Sequence, residues 1–214
     1  MSQLIYTHAG KRGLTAGGER AFQLAYDSTS IFESDYRPIV RFTKDAAEII
    51  RQVSECRKKE YHSTSRWNEA ADYTGLMGEL AVQRYLGVSP ENAMADFLNG
   101  LHQGDKGHDV EAIGLKLDCK ATKGDALKFK FSKTNKYTTL ADGYIFVYVE
   151  HSGLEVWCHL LGFSHRAEVK PYQRDDGQRL YVRVETLRRA GVLNPVSLLK
   201  TSQIVTTQQP TINQ

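Results

Sequence analysis

Residues 143–149, Gly-Tyr-Ile-Phe-Val-Tyr-Val, constrain the fold more than any other stretch of the chain. The run is nearly continuous in apolar and β-forming residues. Such a run predicts a strand covered on both faces and central in its sheet. Leu154 to Leu161 is placed to pair with it through a Ser152-Gly153 turn. A second hairpin precedes it, with Asp109–Ile113 as one arm, Gly114 as the turn and Leu115–Ala121 as the other arm. In that second arm Leu115, Leu117 and Cys119 alternate with Lys116, Asp118 and Lys120, so period-two geometry sorts them onto opposite faces.

Helical periodicity marks two further segments. In residues 45–59, Ala46, Ile49, Ile50 and Val53 recur at i, i+3, i+4 and i+7, with Asp45 and Glu48 as an N-terminal signal. From about Asn68 to Leu86, Tyr73, Leu76, Met77, Leu80, Ala81 and Arg84 follow the same period, and Gly87 stands at the C-cap position. Glu79 falls off this apolar stripe with Asp72, Gly75 and Gln83. Gly75 and Gly78 allow a backbone or a ligand to approach closely. Residues 1–42 read as glycine turns (Gly10, Gly13, Gly17-Gly18) with a strand at 38–42. Residues 88–106 read as a connection with a short strand near Ala95–Leu98. Arg179–Val184 reads as a strand and Glu185–Ala190 as a short helix.

The whole chain of 214 residues suffices for one sizeable core with elaborations. No apolar run approaches the roughly 20 residues a membrane helix needs, and the N-terminus lacks a signal-peptide pattern. The three cysteines are scattered, without the close pairs of a zinc knuckle. A cytoplasmic protein with reduced thiols is the expectation, with no membrane partner. Net charge is only +3, yet residues 116–136 carry seven lysines against two acids. A local basic stretch can supply phosphate contacts even in a nearly neutral protein.

Those lysines adjoin a pattern suited to phosphodiester hydrolysis. The reaction calls for a divalent cation to polarise phosphoryl oxygens and acidify a water. Mg²⁺ takes hard oxygen ligands, usually one or two carboxylates plus water and phosphate. A neighbouring lysine orients the water or offsets charge on the transition state. Asp109 opens the first hairpin arm, Asp118 lies within the second, and Lys120 shares the Asp118 face. Paired strands about 4.8 Å apart bring Asp109 beside Asp118. Glu79 comes from a preceding helix. Asp105, in the Gly104-Asp105-Lys106-Gly107 turn, competes with Asp109 for the first position, although aspartate is also expected there for turn reasons.

Gly107-His108-Asp109, a spacer and Asp118-Cys119-Lys120, with Gly78-Glu79 upstream on a helix, resembles the PD-(D/E)XK, or restriction-endonuclease-like, nuclease superfamily. The resemblance spans about residues 70–150 or 160. It implies an α/β fold with a restriction-endonuclease-like core: a mixed β-sheet flanked by helices, with N- and C-terminal elaborations. It implies that Asp109 and Asp118 bind Mg²⁺ or Mn²⁺, that Lys120 is catalytic, and that Glu79 adds a ligand or assists the metal-activated water. Two departures stand out. His108 occupies the position where the family often has proline, and residues 124–142 lack the helical pattern of the family's helix after the Asp-x-Lys strand.

On this reading residues 1–60 are an N-terminal elaboration, 61–200 the nuclease-like domain and 201–214 a flexible polar tail. The expected activity is metal-dependent DNA endonuclease, DNA being favoured over RNA, and a homodimer is compatible with it. The alternative is a non-catalytic nucleic-acid-binding module on the same fold. Lys123, Lys128, Lys130, Lys133 and Lys136, interleaved with Phe129, Phe131 and Tyr137, suit a nucleic-acid groove. The competing reading is a lysine-studded edge strand that resists aggregation. Cys119 is expected as a small core filler.

Overall fold

The computed structural model describes residues 4–8, 11–33, 37–55, 69–103, 108–124, 128–132, 141–166, 179–183 and 187. Asp105, Lys133, Lys136, the 185–190 helix and the 201–214 tail lie outside the described residues. In chain order the elements are β1 (Ile5–His8), β2 (Lys11–Leu14), α1 (Ala16–Asp27), β3 (Ser30–Phe32), β4 (Ile39–Phe42), α2 (Lys44–Ser54), α3 (Glu69–Tyr85), α4 (Pro90–Gln103), β5 (Val110–Ala112), β6 (Leu115–Thr122), β7 (Lys128–Ser132), β8 (Gly143–Ser152), β9 (Glu155–His165) and β10 (Arg179–Arg183).

Six strands form one mixed sheet in the order β3-β4-β9-β8-β6-β5, giving an α/β fold. As its unbroken apolar run predicts, β8 is central, between β9 and β6. It pairs antiparallel with β9 across the Gly153 turn and parallel with β6. The β5–β6 hairpin forms the edge. Residues 1–60, expected as an elaboration, supply β3 and β4 to this same sheet. Two smaller sheets pair β1 with β2 and β7 with β10. No helix of the described residues is long and apolar enough to cross a membrane.

Helix α3 seats on the sheet face that carries Cys119, Ala121 and Val147. A Cβ at Gly78 would lie 2.6 Å from that of Ala121 and 3.4 Å from the Cys119 sulfur, so only glycine permits this approach. Met77, Leu80 and Ala81 beside it are buried, and the Met77 carbonyl faces the Cys158 thiol. The helix ends as its sequence predicts. Gly87 takes a φ of 76°, with Gly87 N–H donating to the Arg84 carbonyl and Val88 N–H to that of Gln83, a Schellman arrangement.

Three local expectations are corrected. Residues 90–103 form helix α4, not a connection with a strand at 95–98. Pro90 suits a first helical turn, the Ser89 hydroxyl accepts from Asn92 N–H, and Ala93, Met94 and Phe97 bury one helical face. Gly17-Gly18 is not a turn but the start of α1, where Thr15 caps by accepting from Gly18 N–H. The reason for glycine is tertiary: a Cβ at Gly18 would collide with the Leu4 carbonyl. Helix α2 is capped by Thr43, which accepts from Ala46 N–H, rather than by Asp45.

The two glycines of α3 give opposite predictions. A Cβ at Gly75 meets nothing within 4 Å, so Gly75→Ala gains only helix propensity and stabilises by about 0.5–1 kcal/mol. Gly78→Ala gains the same propensity but drives a methyl into Ala121. Overpacking costs about 1–3 kcal/mol, so the net effect is destabilising. Urea unfolding of the two variants should move the midpoint in opposite directions.

Candidate functional site

The β5–β6 turn sets the geometry of the site. Ile113 and Gly114 both have positive φ, 53° and 76°, the mark of a two-residue type I′ turn. It fixes the register Val110↔Leu117, Glu111↔Lys116 and Ala112↔Leu115. One step further out, Asp109 stands across from Asp118, and its N–H donates to the Leu117 carbonyl at 2.9 Å. The Asp109 carboxylate reaches over the strand and accepts from Cys119 N–H at 2.7 Å. Asp109 thus belongs to the site through its backbone and its side chain.

Asp118 is only 6% exposed, so its carboxylate is buried rather than solvated. Its Oδ1 accepts from the Lys120 ammonium at 2.5 Å. Lys120 lies two residues on and is half-buried, as the strand period predicts. Burial alone would lower the Lys120 pKa. The neighbouring Asp118 charge and hydrogen bond, with Asp109 behind them, outweigh it and raise the pKa.

Glu79 follows the glycine that seats α3 on β6, and its charge reaches Asp109. The Asp109 pKa is pushed well above the ordinary carboxylate value by burial, by Glu79 and by the adjacent Asp118. Burial also pushes up the Cys119 thiol, with the same acids adding to the effect. Cys119 is therefore an unreactive core filler, as expected.

Among the described residues, no three His, Cys, Asp or Glu side chains form a ready cage for a metal ion. The donor chemistry nonetheless suits a hard divalent cation. Asp109 and Asp118 offer oxygen ligands in the number Mg²⁺ usually takes from a protein, leaving positions to water and phosphate. A cation there would also offset the negative charge of Glu79 and Asp118, which adds to burial in raising the Asp109 pKa.

Asp142 carried no signal in the sequence. Its N–H donates to the Lys116 carbonyl at 2.7 Å and its carboxylate accepts from Lys116 N–H at 2.8 Å. Asp142 thereby clamps the start of β8 against β6 next to the acids. Glu111 is exposed and lies 3.5 Å from His108, outside the acid cluster. The other His108 ring nitrogen, Nδ1, is buried with no hydrogen-bond partner among the described residues. Lys123 is exposed just past the end of β6. Lys128 and Lys130 lie on β7, paired with β10 rather than with the main sheet. Comparison with protein-family models, with curated proteins and with solved structures finds no significant match.

The raised Asp109 pKa has a definite sign for stability. Its contribution is present at low pH and is lost as the pH rises from about 4 through the raised value. In EDTA, Asp109→Asn keeps an acceptor for Cys119 N–H and removes the buried charge. The melting temperature at pH 8 should therefore rise, by about 2–4 °C per kcal/mol regained. Mn²⁺ should raise the melting temperature of the native protein and have a much smaller effect on Asp109→Asn. Differential scanning calorimetry at pH 5 and pH 8, with and without Mn²⁺, checks both effects.

Proposed function

We propose that the chain is a Mg²⁺- or Mn²⁺-dependent DNA endonuclease on a restriction-endonuclease-like core. One observation carries the reading: the hairpin sets Asp109 across from Asp118, with Lys120 hydrogen-bonded to Asp118 and the Glu79 charge felt at Asp109. This acid pair with an adjoining lysine is the constellation that the resemblance implies. The connection from β6 to β8 departs from the family core, since its described part is strand β7 and not a helix. The departure leaves the acid cluster untouched, because Glu79 stands in α3, Asp118 and Lys120 in β6 and Asp109 just before β5.

Asp109 and Asp118 would hold the cation, with Glu79 as a further ligand or a partner to the attacking water. The cation, when bound, supplies positive charge at the phosphate and lowers the pKa of water. Lys120, paired with Asp118, serves as an ammonium beside the scissile phosphate. It donates to a phosphoryl oxygen and offsets the charge that builds on phosphorus. Water is the nucleophile, so no covalent enzyme intermediate forms.

Incubation with closed circular DNA tests the proposal. Cleavage should need Mg²⁺ or Mn²⁺, stop with EDTA and fall to background in Asp118→Ala. Lys120→Ala should cost about 10²–10³-fold, the typical effect of removing one transition-state donor. Cleavage that persists in EDTA or in Asp118→Ala overturns the mechanism. A non-catalytic nucleic-acid-binding module is the second reading, favoured by the direct Asp118–Lys120 ion pair, which balances one acid without a metal. It predicts DNA binding with intact DNA recovered in both metals.

A further inference from the structure

We infer that the sheet face opposite α3 is a stacking platform for unpaired bases, so that the substrate is DNA that is single-stranded beside the cleavage site. The inference rests on the nuclease reading for its place next to that site. Cys119, Ala121 and Val147 lie against Gly78 of α3, and Cys158 lies against Met77. Period two then turns Tyr148, Trp157 and His159, with Asp118 and Lys120, to the opposite face. Ring contacts agree. Trp157 stacks parallel to Phe32 of β3 at 5.8 Å, and the Arg41 guanidinium of β4 lies 5.6 Å from the Trp157 ring. Tyr148 meets the His159 ring at 5.8 Å. Phe32 is 44% exposed.

The hydrophobic core is one-sided here. It takes Val147, Val149, Val156 and Cys158 from these strands and none of the rings on the other face. Trp157, Tyr148 and His159 are only half-buried. Large rings left outside the core and gathered on one face, with polar groups around them, mark an interaction surface. Chemistry selects the ligand. Aromatic rings and a guanidinium plane hold unpaired bases by stacking, with little regard to sequence. The two acids beside the rings are already engaged: Glu155 pairs with Arg41, and Glu150 lies 2.9 Å from His159. Neither meets an incoming phosphate as a bare charge.

Register carries the platform to the acid cluster. Thr122, at the end of β6, pairs with Tyr148, and Tyr148 pairs with His159. His159 pairs with Ile39 and Ile39 with Phe32, so one row crosses the sheet from β6 to β3. Four steps between strands span roughly 19 Å. Lys120 lies two residues before Thr122 on the same strand and the same face. Four strands side by side suffice for two or three stacked bases. In a duplex the base faces are taken up by their own neighbours, so only unpaired nucleotides can occupy the row. A single strand laid along it ends beside Lys120.

The test uses the full chain in EDTA, so that binding is read without cleavage. Fluorescence anisotropy follows a labelled single strand and the matching blunt duplex. The native chain should bind the single strand about tenfold more tightly, on the scale of one stacked base. Phe32→Ala and Phe32→Leu should each weaken single-strand binding about tenfold, whereas Phe32→Tyr, which keeps the ring, should bind like the native chain. The slope of log Kd against log salt should stay the same in all three, because no phosphate contact is lost. Trp67→Phe leaves Trp157 as the only tryptophan, and its fluorescence should be quenched by the single strand and not by the duplex. Equal affinity for the two DNAs, an unquenched Trp157, or a Phe32→Leu chain that binds single strands like the native one overturns the platform. A native dimer in analytical ultracentrifugation that dissociates in Phe32→Ala overturns it in favour of a second copy of the chain. The native-chain affinities decide even where a variant fails to fold. Hydrolysis of bis(p-nitrophenyl) phosphate by the native chain with Mn²⁺ judges the nuclease reading separately. If none occurs, that reading falls while the binding data still judge the platform.

Discussion

A type I′ turn holds the acid cluster in register. With φ positive at both Ile113 and Gly114, the strands twist together in the native sense and the pairing of β5 with β6 is set to the residue. A slip of one residue would turn Asp118 and Lys120 toward α3 and bring Leu117 and Cys119 to the other face. A β-branched residue at φ 53° is strained, since the left-handed region costs an ordinary residue about 1–2 kcal/mol. Packing of Ile113 against the hydrophobic core offsets that strain. Local strain of this kind persists only where the surroundings over-determine the conformation.

The other half of the site depends on a close contact between helix and sheet. Glu79 reaches the acids because Gly78 allows α3 to lie against Ala121 and Cys119. The same contact explains why Cys119 is a small, buried thiol between Asp118 and Lys120. A larger side chain there would lift the helix, and with it Glu79. The site is thus assembled from two short-range restraints, a turn and a glycine, and both are independent of any ligand. The electrostatic tension at Asp109 is the consequence: acids are brought together by packing that takes no account of their mutual repulsion.

The strongly periodic elements were legible in the sequence. The unbroken apolar run of β8, the alternation of β6 and the helical stripe of α3 each answer to a single physical period. Together they placed Asp118, Lys120 and Glu79 on the correct elements. Helix α4 was misread because Ala95, Phe97 and Leu98 resemble a strand, although Ser89-Pro90 already carried a helix start. Helix α1 was missed because the demand for Gly18 comes from the Leu4 carbonyl of another element, which no local pattern reveals. Asp142 and the depth of Asp109 were invisible for the same reason: both arise from contacts across the sheet.

The parallel pairing of β6 with β8 dictates a long connection between them. Parallel neighbours cannot be joined by a tight turn, so the chain must leave the sheet at Thr122 and return at Gly143. That excursion is the one place near Lys120 where length is required anyway, and β7 lies within it. Asp142 then re-anchors the chain with two hydrogen bonds to Lys116, isolating the register of the strand that bears Asp118 and Lys120 from whatever the excursion does. Because β7 is completed by β10, which follows the last sheet strand, the ribbon draws on both ends of the β6–β9 unit.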